Sequence, residues 1–238
     1  MQTLRFDSQV IWFDESLISA QQVKCAFEAE YWLQQNKIIG SAIGRGTTWF
    51  VELDTMHGAL RHYHRGGLFG KFVKDHYWFS GWEQTRSAQE LNLLQTLIDA
   101  GVNVPRPIAA RSVKTGLTYQ ADLLSERIPN ARDLVSILQE NPLPKMMYQK
   151  IGQEIAKMHK VHVNHTDLNI HNILIDDQEN IWIIDFDKCF LSPETKFSNK
   201  NLERLLRSFK KEKGKRAIMW SSTDFDFLLE GYFENSNK

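Results

Sequence analysis

The chain has 238 residues, 42% apolar and 24% charged, which suits one large domain or two small lobes and excludes disordered and collagen-like classes. Its 29 basic and 29 acidic residues cancel, so wholesale nucleic-acid binding through a basic surface is not expected. The two cysteines, Cys25 and Cys189, form no C-x-x-C unit, and no apolar run reaches the ~18–20 residues of a membrane span. With Asp7, Asp14 and Glu15 near its start the chain shows no signal-peptide pattern, so a reducing, cytoplasmic setting is expected, soluble or attached to a membrane surface.

Residues 2–12 carry no clean period. Val23, Ala26, Phe27, Tyr31 and Trp32 recur at helical spacing and predict an amphipathic helix within 19–35. The small-residue turn 44–48 and the strands on either side of it predict an antiparallel hairpin, followed by a turn at 54–58 and a strand at 59–64. Residues 65–82, with Gly66, Gly67, Lys71 and Lys74, read as a loop with some helix. A helix is expected from 85 to 100, stopped by Gly101, with Pro105 and Pro107 preventing a restart. A second hairpin follows over 108–128, and Pro129-Asn130 marks a candidate hinge. Beyond it come helices at 133–140 and 145–162, a polar loop at 165–172, strands at 173–175 and 181–184, and a helix over 199–211. The order predicts an α+β, two-lobe chain divided into 1–128 and 129–238.

The most informative stretch is His165-Thr166-Asp167-Leu168-Asn169-Ile170-His171-Asn172, followed by a tight hairpin that ends in Asp185-Phe186-Asp187. A hairpin at that place returns Asp185 to the loop that holds Asp167 and Asn172, gathering two carboxylates and an amide. Hard oxygen ligands of this kind suit Mg²⁺, and one carboxylate left off the metal can orient and deprotonate a hydroxyl. Any one of these residues is an ordinary turn former, whereas the full constellation points to phosphoryl transfer. Gly44 and Gly46 then become candidates for approach to phosphate oxygens, although Trp49 stands where a third glycine is usual. Arg61 would present a cation to nucleotide phosphates, with Glu90 as its opposing carboxylate. Backbone groups of Glu126 and Ile128, beside the hinge, are candidates for an adenine edge. A zinc reading of His159, His162 and His165 is set aside, because His165 already fits the phosphotransfer pattern.

Together these residues resemble the protein-kinase-like superfamily and, within it, the Kdo kinases of the lipopolysaccharide kinase family. The resemblance rests on 60–67, Thr85-Arg86 with Glu90, 104–107, 165–174 and 184–187. It implies a protein-kinase-like two-lobe fold, with an antiparallel sheet and one main helix in the N-lobe and a short, mostly helical C-lobe. It also implies ATP- and Mg²⁺-dependent transfer to the 4-hydroxyl of a Kdo (3-deoxy-D-manno-octulosonic acid) residue on a lipid A precursor, at the cytoplasmic face of the inner membrane. Asp167 inherits the catalytic role, and Asn172 and Asp185 the metal roles.

Thr166 stands where many protein kinases have an arginine, and only 53 residues follow Asp185, so no protein substrate is expected. Between 196 and 216 nine basic residues face only Glu203 and Glu212, a local excess of seven positive charges suited to an anionic membrane surface. The competing readings are a soluble aminoglycoside- or choline-type phosphotransferase and an inactive kinase-like binding module.

Overall fold

A computed structural model describes residues 1–44, 46–65, 75–194 and 196–236. Arg45, Gly66, Gly67, Lys71 and Lys74 lie outside the described residues, and with them half of the expected 65–82 loop. The fold is α+β, as the sequence led us to expect. It divides into two compact units, Met1–Asn92 with Arg106–Arg127, and Leu93–Pro105 with Ile128–Lys238. The segment Leu93–Pro105 thus groups with the second unit, although it precedes residue 128.

The first unit is built on an eight-stranded antiparallel sheet. Its strands are β1 (Gln2–Arg5), β2 (Gln9–Phe13), β3 (Ile38–Ile43), β4 (Thr47–Glu52), β5 (His57–His62), β6 (Tyr77–Trp78), β7 (Pro107–Thr115) and β8 (Thr118–Glu126). The main path runs β1-β2-β7-β8-β5-β4-β3, with β6 attached to β8. The first two strands replace the unread stretch at 2–12. β1 is an edge strand whose side chains are largely exposed, so its alternation is blurred, whereas Val10 to Phe13 on β2 are all buried.

The helix expected over 19–35 shrinks to a single 3₁₀ turn at Gln22–Lys24 and the short α1 (Ala29–Gln34). Glu28 between them is extended, with φ −100° and ψ 121°, and the Ala26 carbonyl accepts the Trp32 indole N–H at 2.8 Å. Val23, Ala26, Phe27 and Trp32 are nevertheless buried with Ile11, Phe13, Leu60 and Leu124 in one core. Their helical spacing therefore reflects burial from two short turns, tertiary packing having overridden the period.

The long helix α2 (Arg86–Asp99) carries Glu90. The second unit adds β9 (Arg132–Asp133), α3 (Leu134–Glu140), α4 (Lys145–Lys160), β10 (Val163–Asn164), β11 (Ile173–Ile175), β12 (Ile181–Ile183) and β13 (Phe190–Leu191). It closes with α5 (Phe197–Arg216) and α6 (Ser222–Ser236). Asp133 caps α3, its Oδ1 accepting the N–H groups of Val135 and Ser136. β11 pairs antiparallel with both β12 and β9, and β10 with β13.

The expected 199–211 helix is longer at both ends, and α6 is an element the sequence reading lacks. A signal for it was present: Asp224 accepts the backbone N–H of Ser221 at 2.7 Å, half of a capping box. Helices α4 and α6 touch backbone to backbone. A Cβ on Gly152 would meet the Leu228 carbonyl oxygen at 2.0 Å, and one on Gly231 would meet the Gln149 carbonyl oxygen at 2.1 Å. Among the described residues no helix is long and apolar enough to cross a membrane.

Candidate active site

In the second unit the loop 165–172 runs from β10 into β11, and its conformation is fixed from beneath. His165 is fully buried. Its Nε2 lies 3.0 Å from the Ile184 carbonyl, which can only accept, so the proton sits on Nε2. Nδ1 is then free of a proton and accepts the Asp167 backbone N–H at 3.3 Å. Burial holds the His165 pKa below its ordinary value, and the charges of both Asp185 and Asp167 bear on the ring from nearby.

The Asp167 carbonyl accepts the side-chain amides of Asn169 at 2.9 Å and Asn172 at 3.0 Å. The Asp167 backbone is therefore held on both sides while its carboxylate stays exposed. Because the amide nitrogen of Asn172 must face that carbonyl, its Oδ1 points the other way. The Asn172 carbonyl in turn accepts the Ile184 N–H at 3.0 Å, tying the loop to the residue before Asp185. Asp185 is exposed and left-handed, with φ 65°, a conformation aspartate tolerates better than most residues. Its successor Phe186 is buried against His165, with ring centroids 4.9 Å apart. The turn thus buries Phe186 and presents Asp185. Asn172 and Asp185 are hard oxygen donors of the kind that suits a Mg²⁺ ion completed by phosphate and water.

The sequence reading missed Asn201, a buried residue of α5. Its Oδ1 accepts the His165 backbone N–H at 3.1 Å and lies 3.2 Å from His159 Nε2, while its Nδ2 donates to Asn164 Oδ1 at 3.0 Å. Ser208, two turns on, accepts the Ile170 N–H at 3.1 Å. One face of α5 therefore grips the 165–172 loop. His159 is occupied on its other side by the Tyr232 hydroxyl at 2.9 Å, and His162 is exposed. The three histidines thus serve separate contacts, and among the described residues no His/Cys/Asp/Glu cluster suited to a metal ion is found.

Burial pushes the His159 pKa down to about 4. Its folded value lies below its unfolded one, so its contribution to stability is complete above pH ~6.5 and is lost as pH falls towards 4. The expected loss is on the order of 3 kcal/mol, and the buried His165 adds to the same limb. His62 acts with the opposite sign. Its bond to Asp122 raises its pKa, so its contribution is full at low pH and fades as pH rises through the folded value. Thermal melts from pH 7.5 to 4 should show a falling acid limb that His159→Gln flattens; an unchanged limb would contradict the assignment.

In the first unit Arg61 on β5 and Glu90 on α2 do meet. Arg61 Nη2 donates to Glu90 Oε1 at 2.7 Å and Oε2 at 2.8 Å. Glu90 is buried at 5% exposure, so the pair is no surface ion pair. Tyr63, also missed from sequence, donates its hydroxyl to Glu90 Oε2 at 2.6 Å. Gly44 and Gly46 lie in the turn between β3 and β4, with the Gly44 N–H donated to the Gly46 carbonyl at 2.9 Å. Gly46 has a structural reason of its own, since a Cβ there would fall 2.1 Å from the His64 ring. Glu126 gives its backbone N–H to the Arg106 carbonyl at 2.8 Å and accepts the Arg106 N–H on its carboxylate at 3.1 Å. Any purine contact at Glu126 must therefore use its carbonyl. Ile128 is buried at the start of the second unit's main segment.

The model of the lipopolysaccharide kinase (Kdo/WaaP) family matches residues 29–232. The chain belongs to that family. A relative from Vibrio parahaemolyticus, named 3-deoxy-D-manno-octulosonic acid kinase, is 70% identical over 230 residues, covering 97% of this chain and 96% of its own. A relative of the same name from Vibrio cholerae is 61% identical over 228 residues, covering 96% and 97%. The solved structure of the Cydia pomonella granulovirus kinase PK-1 aligns with 71% of this chain and 58% of its own at 13% identity, with a TM-score of 0.46.

Proposed function

We propose that the chain transfers the terminal phosphoryl group of ATP to the 4-hydroxyl of a Kdo residue on a lipid A precursor, a step in lipopolysaccharide inner-core biosynthesis. The observation that carries this reading is the 165–172 loop: an exposed Asp167 carboxylate on an immobilised backbone, with the Asn172 oxygen turned outward and Asp185 presented by the turn over Phe186. The names of the family relatives supply the acceptor.

In this mechanism Asp167 accepts the hydroxyl proton as the sugar oxygen bonds to the γ-phosphorus, and the bond from that phosphorus to the bridging oxygen breaks to leave ADP. Asn172 and Asp185 would hold Mg²⁺, which would supply charge neutralisation at the phosphates. Arg61, anchored by Glu90, holds phosphate oxygens with a geometry a lysine cannot reproduce. Incubating the protein with labelled ATP and Mg²⁺ beside Kdo-lipid A precursor, choline or an aminoglycoside is expected to label the Kdo-lipid alone. Label on choline or the aminoglycoside, or on none, overturns the reading.

The acceptor's lipid character agrees with the surface of α5. Phe197, Asn201, Leu205, Phe209 and Glu212 face inward, while Lys200, Arg207, Lys210, Lys211, Lys213, Lys215 and Arg216 are exposed. We propose that this face rests on the anionic cytoplasmic surface of the inner membrane. Each such cation near an anionic surface contributes on the order of 1 kcal/mol, screened beyond a Debye length of about 8 Å at physiological salt. Lys213 is better left in place because its ammonium stands over the Trp220 ring, 5.8 Å from the centroid. Replacing Lys200, Lys210, Lys211 and Lys215 with glutamine should raise KM for vesicle-embedded acceptor and flatten its salt dependence, with ATP affinity unchanged. Unaltered vesicle co-sedimentation and acceptor KM would count against membrane contact.

A further inference from the structure

We infer that Tyr63 is a positioning residue for nucleotide binding, acting through Glu90 and Arg61; the inference rests on the nucleotide role given to Arg61 above. Tyr63 continues the line of β5, its backbone N–H donated to the Ala121 carbonyl at 3.0 Å. Two residues beyond Arg61, its side chain emerges on the same face of the sheet. It is buried at 3% exposure and makes two contacts with the ion pair. Its hydroxyl donates to Glu90 Oε2 at 2.6 Å, a short charge-assisted bond, and its ring lies 4.9 Å from the Arg61 guanidinium carbon.

These contacts restrain two separate motions. Arg61 Nη2 donates to both carboxylate oxygens of Glu90. The Tyr63 hydroxyl fixes the carboxylate, and the Tyr63 ring backs the guanidinium. A phenylalanine would fill the same volume, so packing alone does not explain the hydroxyl. An arginine needs such support more than a lysine does, because its grip on phosphate depends on the plane of its fork.

The test compares Tyr63→Phe, Arg61→Ala and the double variant in the full chain. Two readouts are used: KM for ATP and for acceptor, and the rise in melting temperature on adding MgATP without acceptor. Tyr63→Phe is expected to raise KM for ATP by about tenfold and to shrink the MgATP-induced rise, with acceptor KM unchanged. Adding it to Arg61→Ala should change KM for ATP by less than about twofold, since the two act as one unit. A Tyr63→Phe enzyme with wild-type KM for ATP, beside an impaired Arg61→Ala, overturns the role of Tyr63 alone. A silent Arg61→Ala overturns the nucleotide role of Arg61 and the inference with it. Equal rises in both KM values would mark Tyr63 as merely structural and overturn it as well.

Discussion

Asp167→Ala is expected to lower acceptor phosphorylation by ~10²–10⁴-fold while leaving MgATP binding nearly intact. The reason lies in how the residue is divided. Its backbone does structural work, since the N–H is held by His165 and the carbonyl holds Asn169 and Asn172. Its carboxylate is exposed and has no place in that scaffold. Alanine keeps the backbone contacts and removes only the base, so the Asn172 oxygen should stay turned outward and the metal site should survive. Initial rates with Kdo-lipid acceptor, paired with calorimetry of MgATP, check both halves. A fall in turnover below tenfold would move the base elsewhere.

Removing the Asp185 carboxylate should give the complementary pattern, with MgATP affinity and turnover falling together, because in the proposed mechanism Asp185 would hold the ion against the phosphates. The substitution has to respect the backbone. At φ 65° an alanine adds strain that would be mistaken for lost ligation, whereas asparagine accepts the left-handed conformation and retains an oxygen. Asp185→Asn is thus the informative variant. A loss of MgATP affinity of at least about tenfold is expected, corresponding to ~1.4 kcal/mol. Calorimetry showing unchanged MgATP affinity would remove Asp185 from the metal site.

The parts of the site that were legible in the sequence are those set by short-range geometry. The loop, the hairpin and Asp185 follow one another within a single stretch, and turn chemistry alone brings them back together. Asp176 shows how: its carboxylate accepts the N–H groups of Gln178 and Asn180 and the Trp182 indole N–H, closing the hairpin from one residue. The Arg61–Glu90 pair was legible because a strand followed by a helix leaves few partners for a half-buried guanidinium.

Tyr63 and Asn201 were not legible. A tyrosine on a strand reads as core, and an asparagine on a basic helix reads as solvated; only the packing of α2 on β5 and of α5 under the loop gives them partners. The failures in the fold share this cause. The 19–35 period was real as a pattern of burial, yet the backbone that produced it is mostly irregular. At α6 a cap was visible, but Gly231 weakened the helical pattern, and its purpose is evident only once α4 lies against it.

That contact between α4 and α6 bears on how the enzyme comes into being on the ribosome. Tyr232 of α6 holds His159, which meets Asn201, which holds the backbone of His165. The chemistry-bearing residues are synthesised well before the residues that steady them. A nascent chain that has extruded the loop but not α6 also leaves the Gly152 face of α4 uncovered, a bare apolar stripe of the kind that draws chaperones or neighbouring chains. Competence for catalysis and protection from aggregation therefore arrive together, with α6.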